Sequence, residues 1–393
     1  MKEFNIIVFG DDFHNTYGVI RSLGEEGMSP YFINVHKGEH SFVEKSKYIR
    51  KTWRVGTPTE GVKVLKKEFA NSHTKTVVIC TSDPTIHEID VNYEELSEFL
   101  ILPNANNKQG EITRLMDKNV MRIYAEEAGF DLINNTTIVP LSYTQEQIEK
   151  VNYPCLVKPT NSLDGTKNDI RKCINKQQLK DTLKELSTHN HHVEIQDYIE
   201  KEVELLIMGC VLRSGEVVMP LFLGKKREDP CLEGSTAWSL CTPDFSNFNK
   251  QKMRRFFDLI NYRGIFSLEY LVKGDKLYFL EINLRNDGNG YSPTFGGVNL
   301  PYLWAMDAVG EDMSQYPRII TKSFHAQVES TDFSYLKKNP TKILSWLIDT
   351  VRTECYMVAN KKDIEPWNEI VRHKNIFIKY PYKLLYKLLL WIK

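Results

Sequence analysis

The chain has 393 residues, 41% apolar and 26% charged, with 21 Gly and 16 Pro; this is enough for two or three domains with sizeable cores and excludes disorder, collagen and coiled coil. Fifty-one Lys plus Arg balance 51 Asp plus Glu, so no broad cationic field exists to hold a phosphate backbone and nucleic acid is not an expected partner. Seven cysteines without a CxxC pair, and an N-terminal run that passes into a strand without a signal-peptide pattern, read as reduced thiols and a cytoplasmic location.

In chain order, a β-branched run over 5–9 ends at Gly10 and leads to a helix over 17–27, then a strand over 30–35. A helix over 63–69, the buried-type strand TVVIC over 76–80, a helix over 93–100 and the strand-like LILP follow. Strand and helix alternate, which predicts a small parallel α/β domain, Rossmann-like, over residues 1–113. Its loop Asp11 to Thr16 reads either as an amine-binding edge through Asp11, His14 and Asn15 or as a helix N-cap.

From Arg114 the pattern becomes α+β. A helix over 115–129 ends at a C-cap glycine, strands lie over 136–139 and 155–158, and a helix covers 177–186. Strands over 194–196, 203–212 and 217–223 precede a helix over 249–260 and a hairpin of 265–271 with 276–283.

That hairpin carries the sharpest chemical signal. Glu281, Asn283 and Arg285 are two apart and share a face by period-two alternation, and Glu269 lies across the turn. Two carboxylates and an amide oxygen converging on one point call for a hard cation such as Mg²⁺; the plain alternative is a solvated hairpin face. A second signal is YPCLVKPTNSLDGTKN, where an apolar strand delivers Lys158 to a small-residue loop with Ser162, Gly165 and Thr166. Such a loop can fold over phosphates while Lys158 neutralises them, although the Walker A spacing is absent.

Taken together, and in this order, the segments resemble the ATP-grasp superfamily, as in biotin carboxylase and carbamoyl-phosphate synthetase. The motifs stand as Asp117-Lys118, Lys158 with its loop, Gln196-Asp197-Tyr198-Ile199, and Glu269 with Glu281-Ile282-Asn283-Leu284-Arg285. The resemblance implies that Lys118 and Lys158, with Ser162 and Gly165, meet the phosphates of ATP. It places Gln196, Asp197, Tyr198 and Ile199 around adenine, and Glu202 or Glu204 at the ribose. Glu269, Glu281 and Asn283 would hold Mg²⁺, or Mn²⁺ in its place, with Arg285 facing the phosphoryl group. The loop NSLDGTKN is poorer in glycine than its counterparts, and Gln196 replaces the usual Glu.

GKKREDPCLEGST over 224–236 and GVNLPYLWAMDAVG over 297–310 narrow the likeness to D-aspartate ligase and its polysaccharide-cluster relatives. This adds Lys226 and Arg227 as contacts for phosphate or a donor carboxylate, against an exposed loop with ordinary surface charges. The implied architecture is a Rossmann-like domain over 1–113, an ATP-grasp fold over 114–325 with a lid at about 135–200, and an extension over 326–393. The implied activity is a carboxylate-amine ligase working through an acyl phosphate on a small-molecule carboxylate and amine. The alternatives are a bicarbonate-activating carboxylase or carbamoyl-type ligase, and a non-catalytic nucleotide-binding regulator. The tail YPYKLLYKLLLWIK reads as a basic amphipathic helix that lies peripherally on an anionic membrane, packs on the body, or joins a homodimer.

Overall fold

The computed structural model describes residues 4–140, 142–160, 169–188, 192–230, 234–373 and 386. Its first layer is a parallel sheet in the order Lys51–Val55, Tyr31–Val35, Asn5–Asp11, Thr76–Cys80. The last three are apolar at successive positions because both faces are covered. The sequence pattern does not mark Lys51–Val55, whose KTWRV alternates exposed charge with half-buried rings at the sheet edge, nor the short helix Asp83–Asp90, which a Ser82 capping box begins. The first helix runs His14–Glu25 from Phe13, which makes no side-chain cap, so the N-cap reading of Asp11, His14 and Asn15 is corrected.

The helix expected over 115–129 divides into Glu111–Leu115 and Lys118–Glu127. Asp117 is the reason: its carboxylate accepts from the Asn119 and Val120 N–H groups at 2.8 and 3.2 Å, an N-cap that fixes Lys118 in the first turn of a new helix.

A second, antiparallel sheet runs in the order Asn135–Ile138, Val193–Asp197, Cys155–Pro159, Arg171–Cys173. With the helix Lys176–Leu186 it closes its own apolar cluster of Ile138, Val157, Leu179, Leu183 and Ile195. The third sheet is the largest. Its strands lie in the order Cys355–Tyr356, Phe324–Gln327, Ser235–Thr242, Phe222–Asp229, Val203–Val211, Tyr262–Lys273, Lys276–Asn283, Asp131–Leu132.

Two features of this sheet bear on the expected boundaries. Most of 224–236 is paired strand instead of loop. Residues beyond 325 are joined to the body, since Phe324–Gln327 pairs with Ser235–Thr242 and Cys355–Tyr356 pairs with Phe324–Gln327.

Of the tail, only Tyr386 is among the described residues. It is buried against Tyr356 and Trp367, and its hydroxyl donates to Gln327 Oε1 at 2.8 Å. No helix among the described residues is long and apolar enough to cross a membrane.

Candidate active site

The strands Tyr262–Lys273 and Lys276–Asn283 pair so that Glu269 stands opposite Glu281 and Ser267 opposite Asn283. Simple alternation does not survive along the second strand. A bulge leaves Leu280 without a counterpart, because Tyr270 pairs with Phe279. The extra residue resets the pleat: Leu277 and Phe279 turn into the core, while Glu281 and Asn283 line a pocket. Asn283 Nδ2 donates to Ser267 Oγ at 3.3 Å, and its Oδ1 accepts from Arg285 at 3.2 Å.

The opposite wall comes from the small sheet and the Lys118 helix, which bring Lys118, Arg122, Glu194 and Gln196 to the same pocket. Lys158 lies directly across the strands from Glu194, Nζ to Oε2 4.0 Å, both buried. Lys118 Nζ donates to the Pro159 carbonyl at 3.3 Å. Burial, then the Lys158 charge, pulls the Lys118 ammonium below its ordinary pKa, and Glu281, Glu194 and Glu269 oppose that. Gln196 Oε1 is buried with no hydrogen-bond partner, an acceptor that only a ligand or water can satisfy.

The rest of the expected adenine segment differs from expectation. The Asp197 and Tyr198 N–H groups already donate to the Asn134 and Pro154 carbonyls at 2.9 and 3.2 Å, and Lys172 sits over the Tyr198 ring. Asp197, Tyr198 and Ile199 are outside the pocket lining that contains Gln196. Ser162 and Gly165 lie outside the described residues.

The Glu202-or-Glu204 ambiguity separates cleanly. Glu202 is exposed at the hairpin turn and accepts from the Gly274 N–H at 3.1 Å. Glu204 is buried and takes Lys201 at 2.6 Å together with Lys225. Burial raises its pKa, but Lys225 and Lys201 override that and hold the carboxyl at about 2 against an ordinary 4.5. A depressed pKa contributes stability that is complete above pH 4.5 and is lost as the pH falls toward 2. The melting temperature is therefore expected to fall more steeply in acid for the wild type than for Glu204→Gln. Parallel acid limbs in a thermal melt series would show that the two lysines do not hold this charge.

Arg285 and its neighbours join the N-terminal layer to the hairpin. Its Nε and Nη2 donate to the two Asp83 carboxylate oxygens at 2.7 and 3.1 Å, and Nη1 donates to the Asn286 carbonyl at 3.2 Å. Asn15 donates to the Thr81 and Asn286 carbonyls at 2.5 and 3.0 Å, and its Oδ1 accepts from Asn286 Nδ2, so its amide is spent on holding the layers together. His14 is buried, which lowers its pKa to about 4 despite nearby Asp287. A Cβ at Gly288 would come within 2.9 Å of His14 Nε2 and would push the buried imidazole aside.

Lys226 and Arg227 are not brought to the pocket. Lys226 is exposed and lines a separate groove with Glu202, Glu228 and Tyr335. Arg227 turns to the C-terminal helices, where Asp332 accepts from it at 2.7 and 3.0 Å and Asp349 also binds it, over the Trp238 ring. The inward cation of that segment is Lys225, which sequence reasoning passed over. The same parity that selects Gln196 also marks Glu194, two residues earlier on the same strand.

A parallel N-terminal sheet, a small antiparallel sheet and a large sheet ending in an acidic hairpin define the ATP-grasp class of fold. Residues 124–295 match the ATP-grasp domain family. It is 23% identical over 334 residues to the D-aspartate ligase of Enterococcus faecium (strain Aus0004), covering 78% of this chain and 77% of that one. It is 26% identical over 219 residues to a formate-dependent phosphoribosylglycinamide formyltransferase of a Nitratiruptor species, covering 53% of this chain but only 54% of that relative's length. Among solved structures it resembles N5-carboxyaminoimidazole synthetase from Staphylococcus aureus complexed with ADP, TM-score 0.68 at 13% identity over 87% of both chains. It also resembles an L-amino acid ligase from Bacillus licheniformis, TM-score 0.61 at 12% identity over 83% of this chain and 80% of that one. At such identities the structures establish the fold.

Proposed function

We propose that this protein is an ATP-dependent carboxylate-amine ligase of the cytoplasm, forming an amide through an acyl phosphate with release of ADP and phosphate. The observation that carries the reading is the opposition of Glu269 and Glu281 beside Asn283, across one pocket from Lys118 and the unpartnered Gln196 acceptor.

The donor set fits the expected ligands. Lys118 and Lys158 supply charge for phosphate oxygens, and Gln196 Oε1 offers an acceptor to a base amino group. Glu269, Glu281 and the Asn283 carbonyl form the all-oxygen set that Mg²⁺ takes; Mn²⁺ accepts the same ligands. When bound there, the cation neutralises phosphate charge. Arg285, engaged by Asp83 and donating to Asn283 Oδ1, would act on the transferred group from beside the proposed cation ligands.

The reaction needs no protein nucleophile. A carboxylate oxygen attacks the γ-phosphorus and the bond to the ADP oxygen breaks. The amine then attacks the acyl carbon, the carbon–oxygen bond to phosphate breaks, and the nitrogen gives up a proton.

A screen of amino acids, sugar acids and amines for ADP release tests this, with hydroxylamine as a trap for the acyl phosphate. Release that requires a carboxylate, and a hydroxamate formed from it, is the expected result. Release driven by bicarbonate alone would make the protein a carboxylase. Nucleotide binding without release under any condition would make it a regulator.

Lys118 adds a second test. Phosphate raises the pKa that burial and Lys158 have lowered, so a non-hydrolysable ATP analogue should bind with proton uptake and with affinity that declines as pH rises. Lys158→Ala should weaken binding at least about tenfold and reduce the proton uptake, because Lys118 loses a like-charged neighbour. Calorimetry in two buffers of different ionisation enthalpy reads both, and unchanged affinity would show that the lysines do not face phosphate.

A further inference from the structure

The helix Glu365–Arg372, EPWNEIVR, packs on the N-terminal layer beside the segment that follows the strand Tyr31–Val35. The chain is already joined there just before the helix, where Asp363 accepts from Ser46 Oγ at 2.6 Å and from the Lys47 N–H at 3.1 Å. Glu369 and His373 stand one helical turn apart, with Oε1 3.1 Å from His373 Nε2. The same oxygen lies 3.9 Å from Nδ1 of His40 on the opposing segment. Among the described residues this is the one group of three His, Cys, Asp or Glu side chains whose ligand atoms converge, all within 4.8 Å of one another.

The chemistry of the three selects a ligand. Two ring nitrogens and one carboxylate oxygen suit a borderline cation such as Zn²⁺, whereas Mg²⁺ prefers oxygen alone. The two imidazoles stack with centroids 4.2 Å apart and planes 27° from parallel. Two imidazolium charges at that separation would repel, but a metal ion takes both rings as neutral ligands. A tetrahedral zinc ion with bonds of about 2 Å sets its ligand atoms about 3.3 Å apart. Glu369 and His373 already stand near that spacing, so the closing movement falls on His40, whose side chain is 60% exposed.

The surroundings hold the ligands in place. Arg372 donates to Glu369 Oε2 at 2.6 Å, which leaves Oε1 to the imidazoles. The segment carrying His40 is clamped by Arg54, which donates to the Gly38 and Glu39 carbonyls at 2.8 and 3.1 Å, and by a 2.9 Å hydrogen bond between His36 Nε2 and the His40 carbonyl. Glu39 lies 4.0 Å from His40 Nε2, the nitrogen that does not face Glu369, as a carboxylate behind a metal-bound imidazole does. The Arg372 and Lys45 charges both act on Glu369 and weaken its hold on a cation without removing it.

We propose that His40, Glu369 and His373 form a Zn²⁺ site, with water as the fourth ligand, that clips the C-terminal extension to the N-terminal layer. The site stands apart from the catalytic reading, because none of the three lines the pocket that holds Lys118 and Glu281.

Equilibrium dialysis of the metal-stripped full chain against zinc chloride in excess Mg²⁺, followed by metal analysis, tests the proposal. One equivalent of zinc that Glu281→Gln retains is expected, and His40→Gln and His373→Gln should each weaken binding at least about tenfold. Zinc at a hundred times its dissociation constant should raise the wild-type melting temperature by roughly 2–5 °C. Both histidine variants should lose that rise while melting like the wild type without metal, since the two imidazoles are on the surface. No bound zinc overturns the proposal, as does zinc that both histidine variants retain or that Glu281→Gln removes.

Discussion

Glu281→Gln is expected to lower substrate-dependent ADP release by at least about a hundredfold while leaving the fold intact. The substitution keeps the size and shape of the side chain and removes one charge from a set that has two carboxylates to offer a cation. Folding should not suffer: Glu281 is half-buried and faces Glu269 across the strands, so its loss relieves a like-charge pair. Lys118 and Arg285 both feel its charge, which adds a pH signature. Without Glu281, Lys118 loses a group that holds its proton, and nucleotide affinity should fall off at lower pH than in the wild type. Activity assays beside thermal melts separate the effects, and near wild-type turnover at low cation concentration would sink the metal assignment.

The hairpin was legible in the sequence because its chemistry is local. Glu281, Asn283 and Arg285 sit within five residues, and Glu269 is fixed opposite by a tight turn. The bulge at Leu280 was not legible, since Leu280 continues the apolar alternation of Ile282 and Leu284 and only the partner strand shows where the extra residue falls. Lys118 and Lys158 carried a motif, and both come near the pocket. Lys226 and Arg227 show the opposite case. An Arg–carboxylate fork has the same appearance in sequence whether it awaits a substrate or has been spent, and Asp332 and Asp349, more than a hundred residues away, had already taken this one. Asp83 was invisible for the same reason: 202 residues separate it from Arg285, and only the packing of the parallel sheet against the large one unites them. What sequence could not supply is thus mainly the list of charges neutralised at long range, and that list decides which cations remain available to a ligand.

The Asp83–Arg285 pair makes that point testable. Asp83→Asn should destabilise the protein by about 3 kcal/mol, because the guanidinium is left in a largely buried site without its counter-charge. Its effect should not stop at stability. Asp83 fixes the plane of the Arg285 fork through Nε and Nη2, and Nη2 also donates to Asn283, so releasing it disturbs both the arginine and a proposed metal ligand. A fall in kcat larger than any change in KM is the expected pattern for a residue that positions groups used in the transferring step. Arg285→Lys should fail to rescue function in the Asp83→Asn background, since an ammonium cannot reproduce the bidentate geometry. A double-mutant cycle with Arg285→Ala isolates the pair: coupling above about 1 kcal/mol in stability, with a matching non-additive loss in kcat, is the expected outcome. Strictly additive effects would mean that Arg285 is held and aimed by something other than Asp83, and the proposed link between the N-terminal layer and the hairpin would have to be given up.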